Sequence, residues 1–142
     1  MILNEHENKV IYLAAPYSAP DHKTEKMRFK TTCEVQAKLM TARYAVFSPL
    51  ANSVPAVELG NLEIDHADFM RFDSTMLRRC DELLVLALES WRESKGIQEE
   101  IQEAIALRKP VLVIQQGDIP DLPYLNERCN VFGRSKILPY RK

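Results

Sequence analysis

The segment 94–100 places small hydrogen-bond donors and a carboxylate where α/β proteins usually carry out their chemistry. It follows an apolar run over 82–88, typical of a buried strand, and it opens an amphipathic pattern that ends at Lys109. Ligands of open α/β sheets bind at the carboxyl ends of such strands. We expect Glu100 in the first turn of the helix, where the helix dipole favours the ionised carboxylate. Glu100 is therefore the candidate nucleophile or base, and an ordinary first-turn acid is the alternative.

Two further side chains are candidates for the same chemistry. Asp73 lies beside the apolar stripe of a predicted helix, so its carboxyl group would be half-buried, with a raised pKa that suits a proton donor. The alternative for Asp73, and the commoner one for a helical aspartate, is a solvated position. Tyr12 lies near the end of the first predicted strand. Its hydroxyl is either satisfied within the core or in contact with the anionic Glu100.

The loops after the first and third predicted strands carry the most unusual residues of the chain. Their small donors would suit a sugar hydroxyl or a phosphate, and their planar groups would suit a base. We expect Trp91 to be exposed, stacked on a base or packed at a dimer contact. The candidate substrate-binding residues are Ser18, Ser94, Gly96, Tyr17, Trp91 and Arg92.

Alternating apolar runs and amphipathic patterns predict four strands separated by helices. The strands are expected at 10–15, 44–47, 82–88 and 111–114, and the helices at about 23–42, 65–79 and 97–109. The apolar face of the first helix is expected to contain Phe29, Cys33, Ala37 and Met40. The segment 50–60 has no clear period and is predicted to be a loop or a short helix.

This alternation predicts a single α/β domain over residues 1–142, with a doubly wound, mostly parallel sheet. We expect a flavodoxin- or Rossmann-like three-layer sandwich with strand order 2-1-3-4 and a possible edge strand at 131–132. In that order the switch point lies between strands 1 and 3, so the two unusual loops meet in one crevice.

Composition excludes several classes of function. The chain has 142 residues and a formal net charge of -1, so it has no electrostatic footprint for a nucleic acid polymer or an anionic membrane. No apolar run approaches the ~20 residues that span a bilayer, and the first residues lack signal-peptide features, so we expect a cytoplasmic protein. Cysteines and histidines lack ligand spacing, and the four glycines form neither a P-loop nor a dinucleotide fingerprint. We therefore expect no metal and no cofactor.

Three motifs in register resemble the nucleoside 2-deoxyribosyltransferase family. They are I-Y-L-A-A-P-Y-S at 11–18, Asp73 eight residues before Asp81, and S-x-G-x-x-x-E-x-x-x-A at 94–104 followed by K-P-V at 109–111. The family includes transferases that exchange the bases of deoxynucleosides. It also includes hydrolases that cleave the N-glycosidic bond of nucleoside 5′-monophosphates. The resemblance covers residues 10–115 and implies a small-molecule nucleoside or nucleotide substrate.

The resemblance implies a role for each matching residue. Glu100 corresponds to the glutamate that attacks the anomeric carbon and forms a glycosyl-enzyme intermediate. Asp73 corresponds to an acid that positions the substrate and protonates the departing base, and Tyr12 to a tyrosine that hydrogen-bonds near the nucleophile. Ser94 lies where the monophosphate hydrolases carry a phosphate-binding serine, which favours a 5′-monophosphate.

Departures from the family pattern leave the substrate open. Residues 15–18 replace a Gly-Ser-x-Arg phosphate loop, and Gln98 stands where the family has a glycine. A non-catalytic nucleotide-binding module, with Glu100 only accepting a hydrogen bond, is the alternative function. A flavodoxin-like electron carrier is disfavoured because Pro16 and Pro20 remove two backbone donors from the first loop. We also expect a homo-oligomer, a dimer or higher, from Trp91, the irregular tail and the resemblance.

Overall fold

A computed structural model describes residues 9–117, which form a four-stranded, all-parallel sheet. The strands are β1 (Val10–Ala14), β2 (Ala45–Phe47), β3 (Glu82–Leu86) and β4 (Val111–Ile114). The helices are α1 (His22–Thr41), α2 (Pro49–Gly60), α3 (His66–Arg79) and α4 (Lys95–Ala106), with a 3-10 turn at Trp91–Glu93. The strand order is β2-β1-β3-β4, which confirms the prediction. The proposed edge strand at 131–132 lies outside the described residues.

The central strands alternate their side chains between two cores. In β1, Tyr12 and Ala14 face one side, where they pack with side chains from α3 and α4. Ile11 and Leu13 face the other side, where they pack with side chains from α1. Helices therefore cover both faces of the sheet, and the predicted three-layer sandwich is confirmed.

The helices begin at residues whose side chains cap them. Asp21 accepts a hydrogen bond from the backbone N–H of Thr24 at 3.0 Å, and Ser48 accepts one from Ala51 at 3.1 Å. Asp65 and Asp68 form a capping box at the start of α3. With these caps the helix starts follow directly from the sequence.

The other end of α3 is held by a single ammonium group from a different part of the chain. Lys109 Nζ donates to the carbonyl oxygens of Leu77 at 3.1 Å and Arg78 at 2.6 Å, and also to that of Cys80. The Leu77 carbonyl oxygen also accepts a bond from the Cys80 N–H at 3.1 Å, and the last carbonyls of a helix lack the partner that interior carbonyls have, so a cation there bonds them and complements the helix dipole. Lys109 thus joins the end of α3 to the start of β4.

The predicted apolar face of the first helix was wrong. The buried residues of α1 are Thr32, Val35 and Leu39, whereas Met40 from the predicted face is 56% exposed. An apolar pattern overlooks Thr32, which is buried because its hydroxyl donates to the Arg28 carbonyl oxygen at 2.7 Å.

The segment predicted as a loop or short helix is the 12-residue helix α2. Proline in its first turn and a left-handed Asn61 at its C-cap, with a φ of 56°, delimit it. Within residues 9–117, no helix is both long and apolar enough to span a bilayer.

Candidate active site

The loops after β1 and β3 meet at the carboxyl edge of the sheet and line a cavity of about 1100 Å³. The remaining walls come from the first turns of α1, from α2 and from α3. The cavity lies at the switch point between β1 and β3, where open α/β sheets bind ligands. The predicted convergence of the two loops is therefore seen in the structure.

Glu100 lines this cavity from α4, but its surroundings differ from the prediction. The helix begins at Lys95, so Glu100 is in the second turn and not the first. The influence of the helix dipole falls off within the first turn. Burial, together with the charges of Asp73, Glu103 and Glu99, raises the pKa of Glu100 to about 8 despite the hydrogen bond from Tyr12. The expectation that the dipole holds Glu100 as an anion was wrong, because desolvation outweighs it.

Tyr12 is completely buried and its hydroxyl donates to Glu100 Oε2. This contact is the second of the two readings that the sequence left open. Burial and the adjacent Glu100 carboxylate raise the pKa of Tyr12 far above its usual value, so the phenol stays protonated. Tyr12 therefore acts as a fixed donor that occupies one oxygen of Glu100 and leaves the other oxygen for the cavity.

Asp73 lines the same cavity from α3 and is half-buried, as one of the two readings predicted. Its Oδ1 is buried and has no hydrogen-bond partner within residues 9–117. Burial raises the pKa of Asp73 to about 6, although His66 opposes the shift. An acceptor that is buried without a partner is costly, and a ligand with a donor group would satisfy it.

Glu100 and Asp73 influence each other's ionisation. Their like charges repel, which contributes to the raised pKa of Glu100. With pKa values of about 6 and about 8, the pair holds one proton between those pH values. In this order Asp73 is the carboxylate and Glu100 the carboxylic acid in the free protein, so a reaction with Glu100 as the nucleophile and Asp73 as the acid requires the proton to move from Glu100 to Asp73.

The two helices that carry these acids are tied to each other one turn away from the pair. Ser74 donates its hydroxyl hydrogen to Glu103 Oε2 at 2.6 Å. Arg78 contacts both of them, Ser74 Oγ at 2.8 Å and Glu103 Oε2 at 3.4 Å. This network fixes α3 against α4, and with them the separation of the two carboxyl groups.

Four of the predicted substrate-binding residues line the cavity: Tyr17, Ser18, Ser94 and Gly96. Ser94 is the N-cap of α4, and its Oγ accepts a hydrogen bond from the Ile97 N–H at 3.3 Å. Because Oγ accepts that bond, its own hydrogen remains available to an acceptor in the cavity. A Cβ at Gly96 would meet Ser94 Oγ at 4.0 Å, so the protein itself does not require glycine there.

Trp91 and Arg92 are not where the sequence analysis placed them. Trp91 is only 9% exposed and packs in the core with Ile97 and Ile101. The prediction that Trp91 is exposed was therefore wrong. Ser90 has a φ of 69°, and the 3-10 turn that follows carries Trp91 inward. Arg92 lies over the Trp91 ring at 5.0 Å from its centroid, and neither residue is part of the cavity lining.

Sequence reasoning missed several residues of the cavity. Arg28 lines the cavity from the first turns of α1 and bonds the loop after β1, which Glu25, outside the lining, also bonds. An apolar wall from α2 and α3 contains Leu50, Val54 and Phe69. The position of Arg28 in the sequence could have identified it, because the first turns of the helix after β1 lie at the carboxyl edge of the sheet, where ligands bind. No three His, Cys, Asp or Glu side chains in the described part of the chain are grouped to hold a metal ion.

Comparison with known proteins gives a match to a family model. The model of a family described as a domain of unknown function, DUF1937, matches residues 9–116. That range contains the whole sheet and every residue of the cavity lining. No curated protein matches the chain.

Proposed function

We propose that this chain, which belongs to the DUF1937 family, is an N-glycosidase. It would cleave the base–sugar bond of (deoxy)nucleoside 5′-monophosphates or nucleosides, as the resemblance to the nucleoside 2-deoxyribosyltransferase family implies. The observation that carries the proposal is that Glu100 and Asp73 line one cavity, with the hydroxyl of Tyr12 bonded to Glu100. We infer a cytoplasmic enzyme whose partner is a small molecule, not a nucleic acid polymer or a membrane.

The proposed reaction requires Glu100 in its ionised form and Asp73 in its protonated form. The ionised Glu100 attacks the anomeric carbon from the face opposite the base, and the carbon–nitrogen bond breaks through an oxocarbenium-like state. The protonated Asp73 gives its proton to the departing base. Water or a second base then attacks the anomeric carbon, releases Glu100 and gives its proton to the Asp73 carboxylate. Two displacements give net retention, with hydrolysis or base transfer as the outcome.

The contacts of Tyr12 support this assignment of roles. A buried hydroxyl that donates to Glu100 stabilises the carboxylate over the carboxylic acid, which opposes the effect of burial. The positive charge that develops on the sugar would attract the same carboxylate. Glu100 would therefore become the anion when the substrate is bound, with the proton on Asp73.

Ser94 and the start of α4 support a phosphate on the substrate. The hydroxyl of Ser94 has a hydrogen to donate, and the first N–H groups of a helix have no partner inside it. Tyr17 adds a phenol whose pKa is raised by burial and by Glu25 and Glu58, so it is a donor at neutral pH. These groups suit the 5′-monophosphate over the free nucleoside.

The decisive experiment incubates the protein with a panel of nucleosides and their 5′-monophosphates, with and without a free acceptor base. Released or exchanged base is measured by chromatography. Glu100→Ala is expected to lose turnover, whereas Glu63→Ala is the matched control, because Glu63 is exposed, outside the cavity lining and not among the charges that act on Glu100. Turnover that survives Glu100→Ala would remove Glu100 as the nucleophile.

A non-catalytic nucleotide-binding module is the second candidate function. One observation favours it: Glu100 accepts the hydrogen bond from the Tyr12 hydroxyl, and burial raises the pKa of Glu100 to about 8. In that case nucleotides would bind without base release, and their affinity would not change in Glu100→Ala. Calorimetric titration beside the chromatographic assay separates the two functions.

Homo-oligomerisation is also part of the proposal, on a basis different from that given by the sequence. Trp91 no longer supports it, since that side chain is buried. Large apolar side chains are instead exposed on neighbouring parts of α2, α3 and their connection, with Leu59 at 84%. The others are Val57, Leu62, Ile64 and Phe72. Burial of such a patch against a second copy would remove it from water.

A further inference from the structure

The guanidinium of Arg28 contacts both loops that line the cavity. Its Nη1 donates to the carbonyl oxygens of Tyr17 at 3.2 Å and Ser18 at 2.8 Å, in the loop after β1. Its Nη2 donates to the carbonyl oxygen of Glu89 at 3.2 Å, in the loop after β3. One planar group on α1 therefore bonds backbone segments that are more than 70 residues apart in sequence.

The first loop has a second attachment to α1. Glu25 Oε2 accepts a hydrogen bond from the backbone N–H of Ala19 at 3.1 Å. Glu25 Oε1 lies 3.2 Å from His22 Nδ1, which holds the carboxylate in place. The loop after β1 thus keeps one bond to α1 even without Arg28.

The second loop contains a residue in a strained conformation next to the Arg28 contact. Ser90 has a φ of 69°, in the left-handed region that costs energy for any residue with a side chain. The bond from Arg28 fixes the carbonyl of Glu89, which belongs to the peptide unit directly before Ser90. Without that bond, the Glu89 carbonyl loses its side-chain partner, and the turn is held less firmly, although the bond from the Trp91 N–H to the Leu88 carbonyl oxygen at 3.0 Å remains.

We propose that Arg28 is a positioning residue that joins the two substrate loops, so that their donors reach a bound nucleotide in one fixed arrangement. The inference rests on the proposed function for the identity of the ligand. Tyr17 and Ser18 lie on one side of the joint, and Ser90 and Ser94 on the other. Arg28 acts on substrate affinity through these loops and not on the reacting atoms.

Arginine is needed for this role because its donors are held in a rigid fork. Methionine keeps much of the length of the side chain but has no donor, so Arg28→Met removes all three bonds. Lysine keeps the charge as a compact group at the end of a flexible chain, so Arg28→Lys retains only part of the joint. Lys30→Met is the control on the same helix, because Lys30 is exposed and pairs with Glu34 at 3.8 Å.

The first readout needs no substrate. Amide hydrogen exchange of the free proteins is compared in peptides that cover 17–19 and 89–91. In Arg28→Met both segments are expected to exchange faster, and 89–91 more than 17–19, because Glu25 still holds the first loop. An unchanged exchange rate in either loop would contradict the proposal that Arg28 links the two loops, whether or not the protein turns over nucleotides.

The second readout is the division of the effect between KM and kcat for the nucleotide with the highest turnover. Loss of three hydrogen bonds from a charged group is expected to raise KM about tenfold in Arg28→Met, with kcat within about twofold of wild type. The KM of Arg28→Lys should lie between those of the wild type and Arg28→Met, and the KM of Lys30→Met should match that of the wild type. Guanidinium added to an Arg28→Ala protein should lower KM again.

The outcomes separate this inference from the proposed function. Faster exchange in both loops with an unchanged KM would overturn the positioning role while leaving the enzyme intact. A wild type that binds a nucleotide without turnover would overturn the proposed activity, and calorimetric affinity would then replace KM. If Arg28→Met does not fold, Arg28→Lys provides the same two readouts with a smaller effect.

Discussion

At the scale of residues, the pair of Glu100 and Asp73 determines how activity should depend on pH. Below about pH 6 both carboxyl groups are protonated and no nucleophile is present. Above about pH 8 both are ionised and no acid remains to protonate the base. We expect a bell-shaped profile of kcat/KM with limbs near these values, whichever group carries the shared proton. Activity measured from pH 5 to 10 tests this, and a profile that only rises would exclude the acid role.

The hydrogen bond from Tyr12 should be visible in the same profile. Tyr12→Phe removes a donor that lowers the pKa of Glu100, while the burial that raises it remains. The upper limb is expected to move to higher pH, and activity at pH 7 to fall about ten- to a hundredfold, as for the loss of a hydrogen bond to a charged group. Phe47 is 5.7 Å away, between ring centroids, and Phe47→Leu is the control for packing. An unmoved upper limb would contradict the role of Tyr12.

The positions of the candidate residues followed from the sequence better than their environment did. Glu100 was proposed from its place in the helix after the third strand, Asp73 from its place beside an apolar helix stripe, and Tyr12 from its place near the end of the first strand. The pKa of Glu100 was predicted in the wrong direction, because burial depends on side chains brought in by β1 and α3. Trp91 was misplaced because one backbone angle, the φ of Ser90, decides where the following turn points. Arg28 was missed because an arginine in an amphipathic helix resembles a solvated one.

At the scale of elements, Lys109 is the residue whose loss should matter most for α3. Lys109→Met leaves the carbonyls of Leu77, Arg78 and Cys80 without the ammonium that bonds them. Because water replaces part of these bonds, we expect a loss of about 1–3 kcal/mol in the free energy of unfolding. Urea unfolding measures it, with Lys30→Met as a control expected to stay within about 0.5 kcal/mol of wild type. Equal stability of the two variants would show that the contacts contribute little.

Element types and order were predictable because each strand and most helices have a hydrophobic period of their own. The order 2-1-3-4 was predicted as the flavodoxin-like order that places the switch point between strands 1 and 3, and the structure confirms it. The buried face of α1 was not predicted correctly. It contains the polar Thr32, whose hydroxyl can be buried because it donates to the Arg28 carbonyl oxygen of the same helix. Helix α2 has no strong apolar stripe, and it was recognisable only by its caps, Ser48 and Asn61.

At the scale of the whole molecule, the fold explains why two distant loops share one cavity. The next strand in the chain after β1, which is β2, pairs with one edge of β1, and the chain then crosses over so that β3 pairs with the other edge of β1. The crevice between β1 and β3 therefore opens at the carboxyl edge, and Glu100, Asp73 and Arg28 reach it from three different helices. Chemistry at this site depends on how these helices are fixed to one another, which is why Arg78 and Arg28 matter although neither is a reacting group.

The exposed patch around Leu59 gives the last expectation, an assembly of at least two copies in solution. The other exposed large apolar side chains of α2, α3 and their connection are Val57, Leu62, Ile64 and Phe72, and apolar surface of this kind can be covered by a second copy. We expect light scattering at micromolar concentration to give at least twice the mass of one chain. Leu59→Glu should shift the protein to monomers, because a charge would have to be buried in the contact. Met27→Glu is the control, since Met27 is also exposed, at 61%, but lies on α1. A wild-type monomer, or dissociation by both variants alike, would exclude this patch as the contact.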